Sequence, residues 1–271
     1  MLGAIAGDIV GSPYEGRPIK TKRFPLFGDG SSFTDDTVCT LAIADALMSG
    51  GDFAASLRAF ARRFPDAGYG SRFGTWFRSD QAGPYNSLGN GSAMRVSPVA
   101  FVARSRAEVL VLAERTARVT HNHPAGVAGA QATALAIWLA RQGETPDAIR
   151  AAITDGFGYD LSTPVDRLRA SFGYDVTCAG TVPPALTCAL EARDFEDALR
   201  NAVSLGGDAD TLACIAGGLA EALFGVPKAI ARQALGYLPE DLRATLRRFD
   251  RHCAGFGRFR IFGRWRRQTR T

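Results

Sequence analysis

The sequence predicts an all-α domain, and three observations predict it. Apolar residues recur at helical spacing through most of the chain. Alternating strand patterns are nearly absent outside residues 251–271. Helix start and stop signals fall where the periodic stretches begin and end. Residues 36–48, 52–62, 106–118, 125–142, 145–154, 194–204, 209–224 and 239–249 read as amphipathic or buried helices. Met1 to Gly11 reads as a further helix rather than a leader, because it lacks a basic start and carries Asp8. Asp52, Ser105 and Thr145 before Pro146 provide starts, and Gly50-Gly51 and Gly143 provide stops. Between the helices lie glycine-rich stretches at 13–34, 65–92 and 155–180. Loops of that length are uncommon in a compact domain unless they build a site.

Composition bounds the rest. In 271 residues, 46% are apolar and 22% charged, which suits a buried core and excludes a disordered or coiled-coil chain. Cys39, Cys178, Cys188, Cys214 and Cys253 are odd in number and form no C-x-x-C pair, so the expected setting is the reducing cytoplasm. No apolar run approaches the ~20 residues that span a bilayer, so no membrane partner is expected. The net charge of +5 belongs to the end of the chain: residues 251–271 carry seven arginines and no acid, so the preceding body is slightly acidic. We therefore expect one domain over 1–250 and a basic aromatic tail over 251–271. Four large aromatics, Phe256, Phe259, Phe262 and Trp265, favour packing of that tail on the body over a nucleic-acid arm or a docking patch.

Two acidic clusters carry the chemistry. Phe33-Thr34-Asp35-Asp36-Thr37 and Gly206-Gly207-Asp208-Ala209-Asp210-Thr211 each stand where a loop opens into an apolar helix. One aspartate there is ordinary helix capping, worth about 0.3–1 kcal/mol. Two carboxylates with flanking threonines, twice, exceed what capping needs. Were both clusters to face one cavity, their charges would repel, and divalent cations would relieve that. An all-oxygen donor set suits Mg²⁺, Mn²⁺ or Ca²⁺ rather than zinc or copper. Spacing alone does not show that residues 34–36 meet residues 208–211.

Three further segments accompany the clusters: Gly7-Asp8-Ile9-Val10-Gly11-Ser12-Pro13-Tyr14-Glu15-Gly16, Asn86-Ser87-Leu88-Gly89-Asn90-Gly91-Ser92-Ala93-Met94-Arg95, and Thr120-His121. In this order, across residues 3–224, the motifs closely resemble the ADP-ribosylglycohydrolase family, which includes the dinitrogenase-reductase-activating glycohydrolases. The resemblance implies an all-α fold with two divalent cations, Mg²⁺ or Mn²⁺, held by Thr34, Asp35, Asp36, Asp208, Asp210 and Thr211. It implies catalytic roles for Glu15, Asp36 and Asp208, with the acid and the base left open. It places Ser87, Gly89, Asn90 and Gly91 around a diphosphate and distal ribose, His121 along the cleft, and Tyr174 and Val176 against an adenosine. Leu88 departs from relatives that carry an aromatic there. The expected activity is hydrolysis of the bond between ADP-ribose and a protein side chain, arginine first. Serine-linked, polymeric, nucleic-acid-linked or free ADP-ribose derivatives, and a non-catalytic ADP-ribose-binding relative, are the alternatives. The expected partner is an ADP-ribosylated protein or an ADP-ribose-containing small molecule. Arg95 is read either as a structural salt bridge or as a ligand contact, and His123 before Pro124 as structural.

Overall fold

The computed structural model describes residues 1–254, which form an all-α body. In chain order the helices are α1 (Leu2–Gly11), α2 (Asp35–Ser49), α3 (Phe53–Arg63), α4 (Ser71–Arg78), α5 (Gly91–Met94), α6 (Val99–Val102), α7 (Arg106–Arg118) and α8 (Pro124–Gln142). They continue with α9 (Pro146–Phe157), α10 (Val165–Ser171), α11 (Cys178–Leu190), α12 (Phe195–Val203), α13 (Ala209–Phe224), α14 (Lys228–Tyr237) and α15 (Glu240–Ala254). No strand occurs among the described residues, only one isolated antiparallel bridge between Gly89 and Thr177. None of these helices is long and apolar enough to cross a membrane.

The signals that predicted the ends work as local chemistry. Asp52 accepts from the Ala55 amide at 2.9 Å, Ser105 from Glu108 at 3.2 Å and Thr145 from Ala148 at 3.2 Å, each satisfying an orphan donor of a first turn. Gly50 and Gly143 close α2 and α8 at φ 107° and 89°, a region costly for other residues. His123 caps α8, its Nδ1 accepting from the Ala125 amide at 3.1 Å.

Six helices were not expected: the single turns α5 and α6, and α4, α10, α11 and α14. In α4 the arginines mask a short stripe of Phe73, Trp76 and Phe77, all buried. In α11 the prolines Pro183 and Pro184 lie inside the helix, where each removes a backbone donor. Burial of every residue from Thr181 to Leu190 offsets that loss. The glycine-rich stretches 65–92 and 155–180 are therefore partly helical, whereas 13–34 holds only a short 3₁₀ turn at Ser12–Tyr14. The boundary expected at residue 250 falls inside α15, which continues to Ala254; residues 255–271, with the tail aromatics, lie outside the described residues.

The site is positioned by α13, buried continuously from Ala209 to Ala220 among α1, α8, α11 and α12. Against it runs α1, whose glycines recur every fourth residue and face the partner helix. A Cβ on Gly7 would stand 1.9 Å from the Ala213 carbonyl oxygen, and one on Gly3 would stand 2.3 Å from that of Gly217. The backbones thus lie closer than any side chain permits. This contact brings Asp8, on the second half of α1, beside the N-terminal end of α13.

Candidate active site

Asp8 is the residue around which the site is assembled. Its side chain is fully buried and accepts four hydrogen bonds: Thr34 Oγ1 at 2.6 Å, the Thr34 amide at 3.0 Å, the Thr37 amide at 3.1 Å and the Thr37 hydroxyl. These bonds pin the start of α2 to α1. Thr34 itself caps α2, accepting from the Asp36 amide at 3.3 Å. Asp35 and Asp36 therefore project from the first turn of a helix whose N-terminus is fixed on two sides.

The second cluster enters from α13. Asp208 occupies the cap position of that helix but its side chain makes no capping bond. It accepts instead from Asn90 Nδ2 at 2.6 Å, and Asn90 Nδ2 also reaches Thr181 Oγ1 at 3.1 Å. Thr211 Oγ1 donates to Asp36 Oδ2 at 3.2 Å, a direct link between the clusters. Carboxylate oxygens of Asp8, Asp36 and Asp210 lie within 4.8 Å of one another, as do those of Glu15, Asp208 and Asp210. The clusters at 34–36 and 208–211, separate in sequence, are one constellation.

Its electrostatics are those of uncompensated negative charge. Burial first, then mutual repulsion, pushes the Asp36 and Asp210 carboxyls well above the usual range. The same causes raise Asp35 to about 8. Burial raises Asp8 to about 6 against the opposing pull of its threonine partners. Glu15, on the exposed rim, is raised by partial burial and by Asp208 and Asp8. Among the described residues none of these carboxylates is in an ion pair with a basic side chain. Asp36 Oδ1 is buried without any hydrogen-bond partner. Buried acceptors are normally satisfied, so this atom fits a place beside a cation. Hard oxygen donors from carboxylates and threonines suit Mg²⁺, Mn²⁺ or Ca²⁺. Asp8 differs from the others. Its oxygens already accept four protein donors, so it orients the start of α2 and adds charge behind it.

The loop from Ser87 to Gly91 forms the adjoining wall. The Asn90 amide donates to Val176 O at 2.8 Å and the Cys178 amide to Leu88 O at 2.9 Å, which fastens the loop to the start of α11. The Gly89 amide donates to Ser87 Oγ at 3.1 Å. The amides of Gly89 and Asn90 are therefore engaged within the protein. His121 is buried behind this loop: a Cβ on Gly91 would be 3.1 Å from its Nε2. Burial, then Arg95 and Arg72, lowers its pKa well below the usual value, so the ring is neutral at pH 7. Tyr174 and Val176 stand at the rim, 61% and 44% exposed, with Leu88 at 41%. Tyr174 lies within electrostatic reach of Asp208, Glu15 and Asp210.

The structure thus brings the two acidic clusters and Glu15 together beside the Ser87–Gly91 loop, with His121 behind that loop and Tyr174 and Val176 exposed nearby. Sequence reasoning missed Asp8 as a member of the constellation. The available signal was a lone carboxylate between glycines in an otherwise apolar helix. Arg95 is neither salt-bridged nor at the surface: it is fully buried and donates to Thr116 O at 2.9 Å and Thr120 Oγ1 at 2.7 Å.

Comparison with known proteins agrees with this geometry. The family model described as ADP-ribosylglycohydrolase matches residues 1–265, past the end of α15. ADP-ribosylhydrolase ARH3 of Homo sapiens is 26% identical, over 90% of this chain and 90% of its own. ADP-ribosylarginine hydrolase Tri1 of Pseudomonas putida is 30% identical, over 83% of this chain and 70% of its own. A solved structure described as an ADP-ribosylglycohydrolase-related protein complex superposes with a TM-score of 0.70 at 27% identity, covering 93% of this chain and 97% of that one. With the helical scaffold, the paired acidic clusters and a family match over nearly its whole length, the chain belongs to the ADP-ribosylglycohydrolase family, as a hydrolase of ADP-ribose linkages.

Proposed function

We propose that the enzyme removes ADP-ribose from modified arginine side chains and depends on two divalent cations, Mg²⁺ or Mn²⁺. The observation that carries the metal dependence is the meeting of Asp36 and Asp210 with Asp8, and of Asp208 and Asp210 with Glu15, without a basic partner and with Asp36 Oδ1 left unsatisfied. Thr34, Asp35 and Asp36 from α2, with Asp208, Asp210 and Thr211 from α13, would hold the ions. Held there, divalent cations would supply Lewis-acid polarisation of substrate oxygens and of a water.

The protein's own groups do the rest. Asp8 fixes the start of α2 through Thr34 and Thr37, and Asn90 fixes Asp208, so the donors are preorganised on two rigid helices. Cleavage at an anomeric carbon passes through an oxocarbenium-like state, which nearby carboxylates stabilise. Glu15, the most exposed of the carboxylates and raised by its neighbours, is suited to exchange a proton between its carboxyl oxygen and the reacting groups. The choice of arginine is supported by the relative Tri1, an ADP-ribosylarginine hydrolase. The test is a panel of peptides ADP-ribosylated on arginine or serine, with ADP-ribose polymer, assayed for released ADP-ribose in Mg²⁺, Mn²⁺ or EDTA. Release from the arginine-linked peptide, lost in EDTA and restored by Mg²⁺ or Mn²⁺, is expected. Full activity in excess chelator overturns the metal dependence, and release only from the other substrates overturns the arginine assignment.

A further inference from the structure

Arg95, just after α5, is a fully buried cation with no carboxylate partner among the described residues, which is costly unless its field is used. A guanidinium only donates, so Thr120 Oγ1 must accept from it at 2.7 Å. The hydroxyl keeps one hydrogen of its own. His121 Nδ1 lies 2.7 Å from the same oxygen. The Tyr85 phenol also reaches Thr120, but its oxygen is a weaker acceptor than an imidazole nitrogen. Polarised by the cation, the hydroxyl points its hydrogen at the best acceptor available, the bare imidazole nitrogen. A neutral imidazole that accepts at Nδ1 carries its proton on Nε2. That nitrogen has no protein partner among the described residues, and it faces Gly91 and Gly89, whose added Cβ atoms would stand 3.1 and 3.6 Å away.

We infer that Thr120, oriented by Arg95, is a positioning residue that fixes His121 as the Nε2–H tautomer and so presents one neutral donor to an acceptor oxygen of the bound ligand. What the donor meets rests on the ADP-ribose reading above; the tautomer is a property of the free protein. A charged ring would be drawn toward the acidic constellation, and a ring protonated on Nδ1 would offer the ligand a lone pair instead of a hydrogen. Glycine at 91 is what lets the nitrogen stand so close to the loop.

The test is long-range proton–nitrogen correlation on the full chain labelled with ¹⁵N-histidine, with His121 assigned by its loss in His121→Asn. At pH 7 the wild type is expected to show a protonated Nε2 and a bare Nδ1. Thr120→Ser should keep that pattern, and Thr120→Val should lose it. Calorimetry with ADP-ribose should then show binding weakened about tenfold in Thr120→Val, the scale of one hydrogen bond, and restored in Thr120→Ser. A proton on Nδ1 in the wild type, an unchanged Thr120→Val spectrum, or undiminished Thr120→Val binding overturns the inference. Should Thr120→Val fail to fold, the wild-type and Thr120→Ser spectra still decide the tautomer. A wild type with the Nε2 proton that binds no ADP-ribose would overturn the proposed function and leave the relay supported.

Discussion

Replacing Asp35 by Asn should stabilise the metal-free protein and spoil the metal-loaded one. Asp35 sits in the first turn of α2. Burial and the charges of Asp8, Asp208 and Glu15 raise its carboxyl to about 8, from an ordinary 3.8. A carboxyl raised in the folded state favours its protonated form there. Folding is therefore penalised as pH climbs above the unfolded value, and the penalty grows until pH passes the folded one. At pH 7 about three units of that interval are expressed, an upper bound of ~4 kcal/mol at ~1.4 kcal/mol per unit. Even half of it, at ~2–4 °C per kcal/mol for a chain of this size, raises Tm by about 4 °C or more. Differential scanning calorimetry in EDTA should show Asp35→Asn melting above the wild type at pH 7, further above at pH 8, and level with it near pH 4. In saturating Mg²⁺ or Mn²⁺ the order should reverse, because cation binding stabilises only a site that holds it, by about 2.7 kcal/mol at one hundred times Kd. An Asp35→Asn protein no more stable than wild type in chelator at pH 7 and 8 would refute the repulsion argument.

Three other outcomes are expected. Glu15→Gln keeps shape and removes a charge, so kcat should fall by about two orders of magnitude while calorimetry still detects ADP-ribose binding; normal turnover would reduce Glu15 to a loop residue. Gly7→Ala gains up to about 1 kcal/mol of helix propensity but drives a methyl to 1.9 Å from the Ala213 carbonyl oxygen. Overpacking of that kind costs about 1–3 kcal/mol, so Tm should fall, and activity should fall further as Asp8 and Asp210 are pushed apart; an unchanged melt would contradict the close packing of α1 on α13. Truncation after Ala254 should lower Tm if the tail aromatics pack on the body, whereas unchanged stability with lost, salt-sensitive oligonucleotide binding would favour a nucleic-acid arm.

Helix caps were legible because they are local: Asp52, Ser105 and Thr145 each bond an amide three residues on, so type and spacing suffice. The same locality hid α11, whose Pro183 and Pro184 argue against a helix until its burial is known. It hid Arg95 as well, because a cation in sequence implies a carboxylate partner, and the partners here are a carbonyl and a hydroxyl.

The sequence by itself determined the all-α class, both acidic clusters and the oxygen chemistry they offer, because propensity, capping and donor hardness depend on residue type and short spacing. Only the tertiary structure decided that the clusters meet. Thr211 reaches Asp36 across 175 positions and Asn90 reaches Asp208 across 118, and no short-range pattern encodes such a meeting. The same holds for Asp8. Its role comes from the close approach of α1 to α13, a contact made by the absence of side chains at Gly3, Gly7 and Gly11. Glycine spacing announces that two backbones will touch, but which helix fills the groove is settled by the packing of the whole core.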